Sequence, residues 1–154
     1  MKKALSYGAD QAVLLTDKAF AGADTLATSY ALGAAIRKLG ETEPVDLVFT
    51  GKQTIDGDTA QVGPGLSIRL GAQLLTYVSR IRDFAPAQGT LTVERRAEGG
   101  VQVLTAPLPC VVTMLTVDGD SKQEKQRQIW QSFKEKRSFW GLIGDAYKFW
   151  RAFK

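Results

Sequence analysis

One stretch constrains the fold more than any other. The apolar run Asp46-Leu47-Val48-Phe49-Thr50 passes directly into Gly51-Lys52-Gln53-Thr54-Ile55-Asp56-Gly57-Asp58-Thr59-Ala60-Gln61-Val62-Gly63-Pro64. A short run of branched and aromatic residues reads as a buried strand. The loop after it is polar and carries glycines, and it leads into a helix that runs to about Leu70 and stops at Gly71. The same order occurs once upstream. Gln11-Ala12-Val13-Leu14-Leu15 reads as a strand, Asp24 or Thr25 as an N-cap, and Leu26 to Leu39 as an Ala-rich helix ended by Gly40. Strand, helix, strand, loop, helix predicts an α/β fold: a Rossmann-like, mainly parallel sheet flanked by helices.

The pattern changes after Gly71. Leu74 to Phe84, Leu91 to Arg96, Val101 to Leu104 and Cys110 to Val117 read as extended segments, broken by Ala85-Pro86-Ala87-Gln88-Gly89 and by Gly99-Gly100. They are expected as antiparallel additions to the sheet edge. Asp118-Gly119-Asp120-Ser121 ends the globular part, which divides the chain into a domain over 1–120 and a tail over 121–154.

Composition removes whole classes of chemistry. Histidine is absent and Cys110 is the single cysteine, so no Ser-His-Asp or Cys-His arrangement can form, and a zinc site has too few ligands. Cys110 sits in the apolar run Pro109-Cys110-Val111-Val112, where a buried, inert thiol is expected. With no nucleophile and base to nominate, the chain reads as a non-enzyme whose chemistry would come from a cofactor. No apolar run approaches the roughly 20 residues of a membrane span, and the N-terminus lacks a signal peptide's apolar segment; a cytoplasmic protein is expected. The net charge of +4 is uneven. Residues 121–154 hold nine Lys/Arg and three Asp/Glu, a net of +6, against 11 and 13 in residues 1–120, a net of −2. The basic character belongs to the tail, and no nucleic-acid partner is expected.

Open α/β sheets bind ligands at the carboxyl ends of their strands, where the Gly51–Val62 loop falls. Glycines such as Gly57 and Gly63 let backbone approach a ligand closely, and the first N–H groups of a helix beginning near Thr59 would point at a phosphate. Thr59 offers a hydroxyl. Lys52 either adds charge there or is a solvated surface lysine, and spacing alone leaves both open. Asp56 and Asp58 are expected to cap the helix start or form Asx-turns rather than hold magnesium. The loop is neither a Walker A sequence nor a dinucleotide GxGxxG.

The stretch from Asp46 to Pro64 resembles the nucleotide-binding segment of electron-transfer flavoprotein beta subunits. Ala4-Leu5-Ser6-Tyr7-Gly8-Ala9-Asp10, Gly22 to Thr28, Val93 to Gly100 and Pro107-Leu108-Pro109 extend the resemblance over about residues 4–120. It implies a subunit of a heterodimeric electron carrier. The alpha subunit holds most contacts to a redox-active FAD, and this subunit holds AMP or, in the electron-bifurcating branch, a second FAD. The family's nucleotide contacts map onto Gly51, Lys52, Gln53, Thr54, Ile55, Asp56, Gly57, Asp58, Thr59, Ala60, Gln61 and Val62. The Asp-Gly-Asp-Thr-Ala-Gln-Val-Gly-Pro version resembles the bifurcating or nitrogen-fixation-linked branch and leans toward FAD. Dehydrogenase donors and a quinone or ferredoxin-type acceptor are implied. Arg96 stands where mitochondrial-type relatives carry an acidic residue that orients the flavin domain, so that role is not carried over. Against the family pattern the chain is shortened at its N-terminus, and the family's docking loop and arm are not recognisable after Asp120. A truncated or misjoined product with impaired function is one alternative; a stand-alone adenine-nucleotide module is another.

The tail holds all three tryptophans and eight of the 14 aromatics. Ile129, Trp130, Phe133, Trp140, Ile143, Tyr147 and Trp150 recur at spacings near three and four, which predicts a basic amphipathic helix. Such a helix packs on its own domain, docks in a partner or lies on an anionic membrane surface. Gly141 and Gly144 weaken any single long helix.

Overall fold

The computed structural model describes residues 5, 9–55, 57–115, 139–143 and 148–152. The two strand–helix passages read from the sequence are both present. Strand β1 (Gln11–Leu14) leads through a short 3-10 turn (Lys18–Phe20) to helix α1 (Thr25–Gly40). Asp24 caps α1: its carboxylate accepts from the Ala27 N–H at 2.7 Å, supplying one of the acceptors that a helix start lacks. Strand β2 (Leu47–Gly51) is buried at every position except Gly51. Helix α2 (Val62–Leu70) closes at Gly71, whose φ of 63° is left-handed and lets its N–H turn back to Ile68 and Ser67.

The rest of the sheet comprises β3 (Gln73–Ala85), β4 (Thr90–Ala97), β5 (Gly100–Pro107), β6 (Cys110–Met114), β7 (Phe139–Ile143) and β8 (Lys148–Ala152). The spatial order is β1-β8-β7-β2-β6-β3-β4-β5. As expected, β4 and β5 are antiparallel additions at one edge, but β3, expected with them, pairs antiparallel only with β4 and runs parallel to β6 inside the sheet.

Two further expectations are corrected. The segment beginning at Cys110 is not an antiparallel edge addition. It inserts between β2 and β3 and runs parallel to both, pairing Leu47 with Cys110 and Gln73 with Cys110. Its residues Cys110 to Thr113 are all buried, and burial on both faces is what selects a central parallel strand. The amphipathic helix expected in the tail is likewise not what its described residues form: 139–143 and 148–152 are strands, paired with each other antiparallel, with β7 beside β2 and β8 beside β1. Phe139-Trp140-Gly141-Leu142-Ile143 and Lys148-Phe149-Trp150 are rich in strand-favouring residues, and Gly141 costs a helix about 1 kcal/mol. The edge of β2 also offers a ladder that a surface helix would leave unpaired. The part of the helical expectation carried by Ile129, Trp130, Phe133 and Tyr147 lies outside the described residues.

Alternation along β2 and β6 divides the core in two. Val48 and Val111 face α1 and α2, meeting Leu32, Ile36 and Leu66. Leu47, Phe49, Cys110 and Val112 face the other way, with Leu75, Val78, Phe84, Leu91 and Val93. The helices themselves approach closely: a Cβ on Gly65 would stand 2.8 Å from both Cβ and Oγ of Ser29. Arg69 ties the pair together, donating to the Ser29 hydroxyl at 3.1 Å and to the Leu26 carbonyl at 3.2 Å. Cys110 is buried as expected. Its thiol donates to the Pro107 carbonyl at 3.1 Å, and burial pushes its pKa from 9.0 to about 11.

Leu66 is 0% exposed and Ile68, two residues on, is 82% exposed. Leu66→Ala is expected to cost about 2–5 kcal/mol in urea unfolding, and Ile68→Ala about 0.5 kcal/mol or less. Cys110 is expected to resist a disulfide exchange reagent at neutral pH in the folded protein and to react at once in urea. Its pKa is higher folded than unfolded, so its stability contribution is complete below 9.0 and is lost as pH rises through about 11.

Candidate functional site

The loop between β2 and α2 leaves the carboxyl edge of a three-strand parallel unit, β2-β6-β3. Gly51 ends β2 opposite Met114, and the Lys52 N–H still holds the ladder by donating to the Met114 carbonyl at 3.0 Å. Beyond that the chain folds on itself. The Asp58 N–H donates to the Thr54 carbonyl at 3.1 Å, and the Gly57 N–H to the Thr54 hydroxyl at 3.3 Å. The Gln53 side-chain amide donates to the Asp58 carboxylate. At the far end, Thr25 at the start of α1 donates its hydroxyl proton to the Gln61 side chain at 2.7 Å. The loop is thus held from β6 at one end and from α1 at the other.

Helix α2 begins at Val62 rather than near Thr59. Asp58 and Ala60 explain the delay, because their φ values of 48° and 55° are left-handed and cannot continue into a right-handed helix. Gln61 is the N-cap residue but makes no side-chain cap bond. The N–H groups of Val62 and Gly63 therefore have no intrahelical partner, and Pro64 has no N–H at all. Asp58 neither caps α2 nor turns the backbone as an Asx residue; it is engaged with Gln53. Asp56 lies outside the described residues. Gly51, Gln53, Thr54, Ile55, Gly57, Asp58, Thr59 and Gln61 are exposed, Ile55 to 98%, while Lys52, Ala60 and Val62 are half-buried. Among the described residues, no three His, Cys, Asp or Glu side chains cluster as metal ligands.

Under the start of α2 lies a threonine pair that the sequence reading passed over. Thr50 and Thr113 are register partners on β2 and β6, both buried. Gly63 rests on them: a Cβ there would stand 2.5 Å from Thr113 Cγ2 and 3.0 Å from Thr50 Oγ1. The Thr50 hydroxyl is buried without a hydrogen-bond partner among the described residues. The Thr113 hydroxyl accepts from the Tyr77 N–H at 3.2 Å. Tyr77 was also missed. Its ring lies 5.3 Å from the Lys52 ammonium, and its φ of 56° is left-handed in the middle of β3. No sequence signal announces a left-handed tyrosine inside a strand. Two surface clefts, of about 230 and 530 Å³, are lined by residues outside this loop.

Residues 1–123 match the electron transfer flavoprotein domain, and residues 111–154 match the C-terminal domain of the ETF-QO/FixC family. The chain is 56% identical over 143 residues to Protein FixA of Azotobacter vinelandii, covering 93% of this chain and 51% of that protein. It is 65% identical over 116 residues to Protein FixA of Bradyrhizobium diazoefficiens, covering 75% and 40%. Electron transfer flavoprotein subunit beta of Clostridium acetobutylicum is 40% identical over 138 residues, covering 90% and 51%. The chain spans about half the length of the curated relatives it matches.

The contact beneath α2 is testable. Gly63→Ala is expected to cost about 1–3 kcal/mol by thermal unfolding, because the side chains of two buried, β-branched threonines, Thr113 and Thr50, meet the new methyl. Adding Thr113→Ser removes the Cγ2 while keeping the hydroxyl for Tyr77, and should recover part of the loss.

Proposed function

This chain belongs to the electron transfer flavoprotein family, and from that membership we infer that its Gly51–Val62 loop holds an adenine nucleotide, AMP or FAD, in a beta-type electron-carrier subunit. The observation that supports this most is the loop's position: it leaves the carboxyl ends of parallel strands and enters a helix whose first N–H groups lack intrahelical partners, inside the segment matched to the family. The residues suit a phosphate. Uncapped N–H groups of Val62 and Gly63 carry the partial positive charge of the helix end, which favours an anion by about 0.3–1 kcal/mol. Lys52 stands just after β2 at the same edge of the sheet. Glycines at 51 and 57 leave the loop backbone without side-chain cover.

Members of this family carry electrons rather than turn over substrate, and the redox chemistry of such a protein resides in its bound flavin. The protein's part is to bind and orient. In this reading the alpha-type partner completes the flavin site, a dehydrogenase supplies electrons, and a quinone or ferredoxin-type protein accepts them. The Asp-Gly-Asp-Thr-Ala-Gln-Val-Gly-Pro sequence supports FAD over AMP in this subunit. Cytoplasmic placement belongs to the same reading; among the described residues no helix is long and apolar enough to cross a membrane.

A second reading has its own observation. The match of residues 111–154 to a different electron-transfer family overlaps the first match over 111–123. It supports a chain joined from parts of two electron-transfer proteins, in which the nucleotide site persists but the alpha-type partner does not bind.

Co-expression with an alpha-type subunit separates the readings. The complex is isolated, denatured and its released nucleotides identified by chromatography. Flavin with AMP, or two FAD per heterodimer, is expected under the first reading. Nucleotide released from this chain alone, with no complex, favours the second. Neither nucleotide nor complex overturns both.

A further inference from the structure

Strand β3 breaks its pairing with β6 at one place. Leu75 is opposite Val112 and Val78 opposite Met114, so Thr76 and Tyr77 together face the single residue Thr113. This is a bulge, and Tyr77 within it has a φ of 56°. A bulky residue in the left-handed region is an outlier that persists only where its surroundings hold it. Core burial does not hold Tyr77, which is 43% exposed. Two contacts do. Its N–H is donated to the Thr113 hydroxyl at 3.2 Å, and its ring receives the Lys52 ammonium at 5.3 Å.

The second contact is unusual in its reach. Lys52 follows β2 and Tyr77 belongs to β3, and β6 lies between them, so the cation and the ring meet across an intervening strand. Strand neighbours are about 4.8 Å apart, which puts the two backbones about twice that distance from each other. Both ends of β6 partners are fastened there: the Lys52 N–H to the Met114 carbonyl at 3.0 Å, and the Leu115 N–H to the Val78 carbonyl at 2.8 Å. The bulge thus coincides with the place where the tyrosine ring meets the ammonium of the half-buried Lys52.

We propose that Tyr77 is a positioning residue for the nucleotide site: its left-handed bulge places the ring so that Lys52 is held at the carboxyl edge of the sheet, facing the nucleotide's phosphate. The inference rests on the nucleotide reading of the Gly51–Val62 loop. Tyr77 acts through Lys52, so its effect falls on the charged part of the ligand and not on the nucleoside.

The test is calorimetric titration of the full chain with AMP and, separately, with adenosine. AMP is the probe because AMP and FAD share its adenosine phosphate. Tyr77→Phe keeps the ring and is expected to bind AMP within about twofold of the unsubstituted chain. Tyr77→Leu keeps apolar bulk without a ring face, and is expected to lose about fivefold in AMP affinity, the scale of an exposed cation–ring contact, with adenosine affinity unchanged. In a Lys52→Gln background, Tyr77→Leu should have no further effect. Tyr77→Gly should raise the melting temperature, because glycine adopts this φ without strain, while lowering AMP affinity like the leucine variant. Equal AMP affinities for Tyr77→Leu and the unsubstituted chain would overturn the inference and leave the nucleotide reading standing. So would an equal loss for AMP and adenosine, or an undiminished leucine effect in the Lys52→Gln background. An unsubstituted chain that binds neither AMP nor adenosine would overturn the nucleotide reading and this inference with it.

Discussion

The close approach of Gly63 to Thr50 and Thr113 governs the geometry around it. With no Cβ at position 63, α2 settles onto the sheet until its first turn is level with the ends of β2 and β6. A larger residue would lift the helix by the width of a methyl group and move its free N–H groups away from the strand ends. The threonine pair exists only because β6 is inserted parallel to β2, in a register that places Thr50 beside Thr113. The Thr113 hydroxyl then reaches sideways to the Tyr77 N–H. Two small side chains and one missing side chain therefore locate three strands and a helix relative to one another.

Regular and irregular backbone are sharply separated in this molecule. The core strands β2 and β6 pair residue for residue, and Leu47, Leu66, Val111 and Val112 are fully buried. Among the described residues, the left-handed non-glycine positions Asp58, Ala60 and Tyr77 all lie near the carboxyl ends of β2 and β6. Each costs roughly 1–2 kcal/mol relative to ordinary backbone. The bonds from Gln53 to Asp58, from Gln61 to Thr25 and from Tyr77 to Thr113 hold that strained edge against the relaxed core. Departures from local rule are thus gathered at one end of an otherwise regular sheet.

The other side of β2 is built differently. β7 joins it through Val48 and Phe49, a shorter ladder than the five-residue pairing with β6, and β8 carries the sheet on to β1. These two strands fall in the part of the chain matched to the ETF-QO/FixC C-terminal domain, while β1 through β5 fall in the part matched to the electron transfer flavoprotein domain. Backbone ladders require only an extended partner in register, so segments with different family resemblances can share one sheet.

Local chemistry was enough to read much of this fold from the sequence. An N-cap at Asp24 or Thr25, Gly40 and Gly71 as helix ends, the runs at 11–15 and 46–50, and the extended segments at 74–84, 91–96 and 101–104 all follow from patterns spanning a few residues, and the elements formed match them to within a few residues. The loop itself was legible too, because polar residues and glycines separate a buried strand from a helix. The strand at Cys110 was legible but its neighbours were not, since an apolar run does not state which edge it will meet. The tail's aromatics suited a helical period and were taken up as strands where they are described, because strand-favouring residues and an open ladder on β2 outweighed that spacing. Tyr77 and Thr50 entered the site only through tertiary structure: their partners, Thr113, Lys52 and Gly63, are distant in sequence or on other elements, and no spacing rule joins them. The sequence alone determined the elements and the loop that joins β2 to α2. Which strands stand beside that loop, and which backbone strain aims a side chain at it, only the folded sheet decided, because register and crossing distance are properties of the assembled layers.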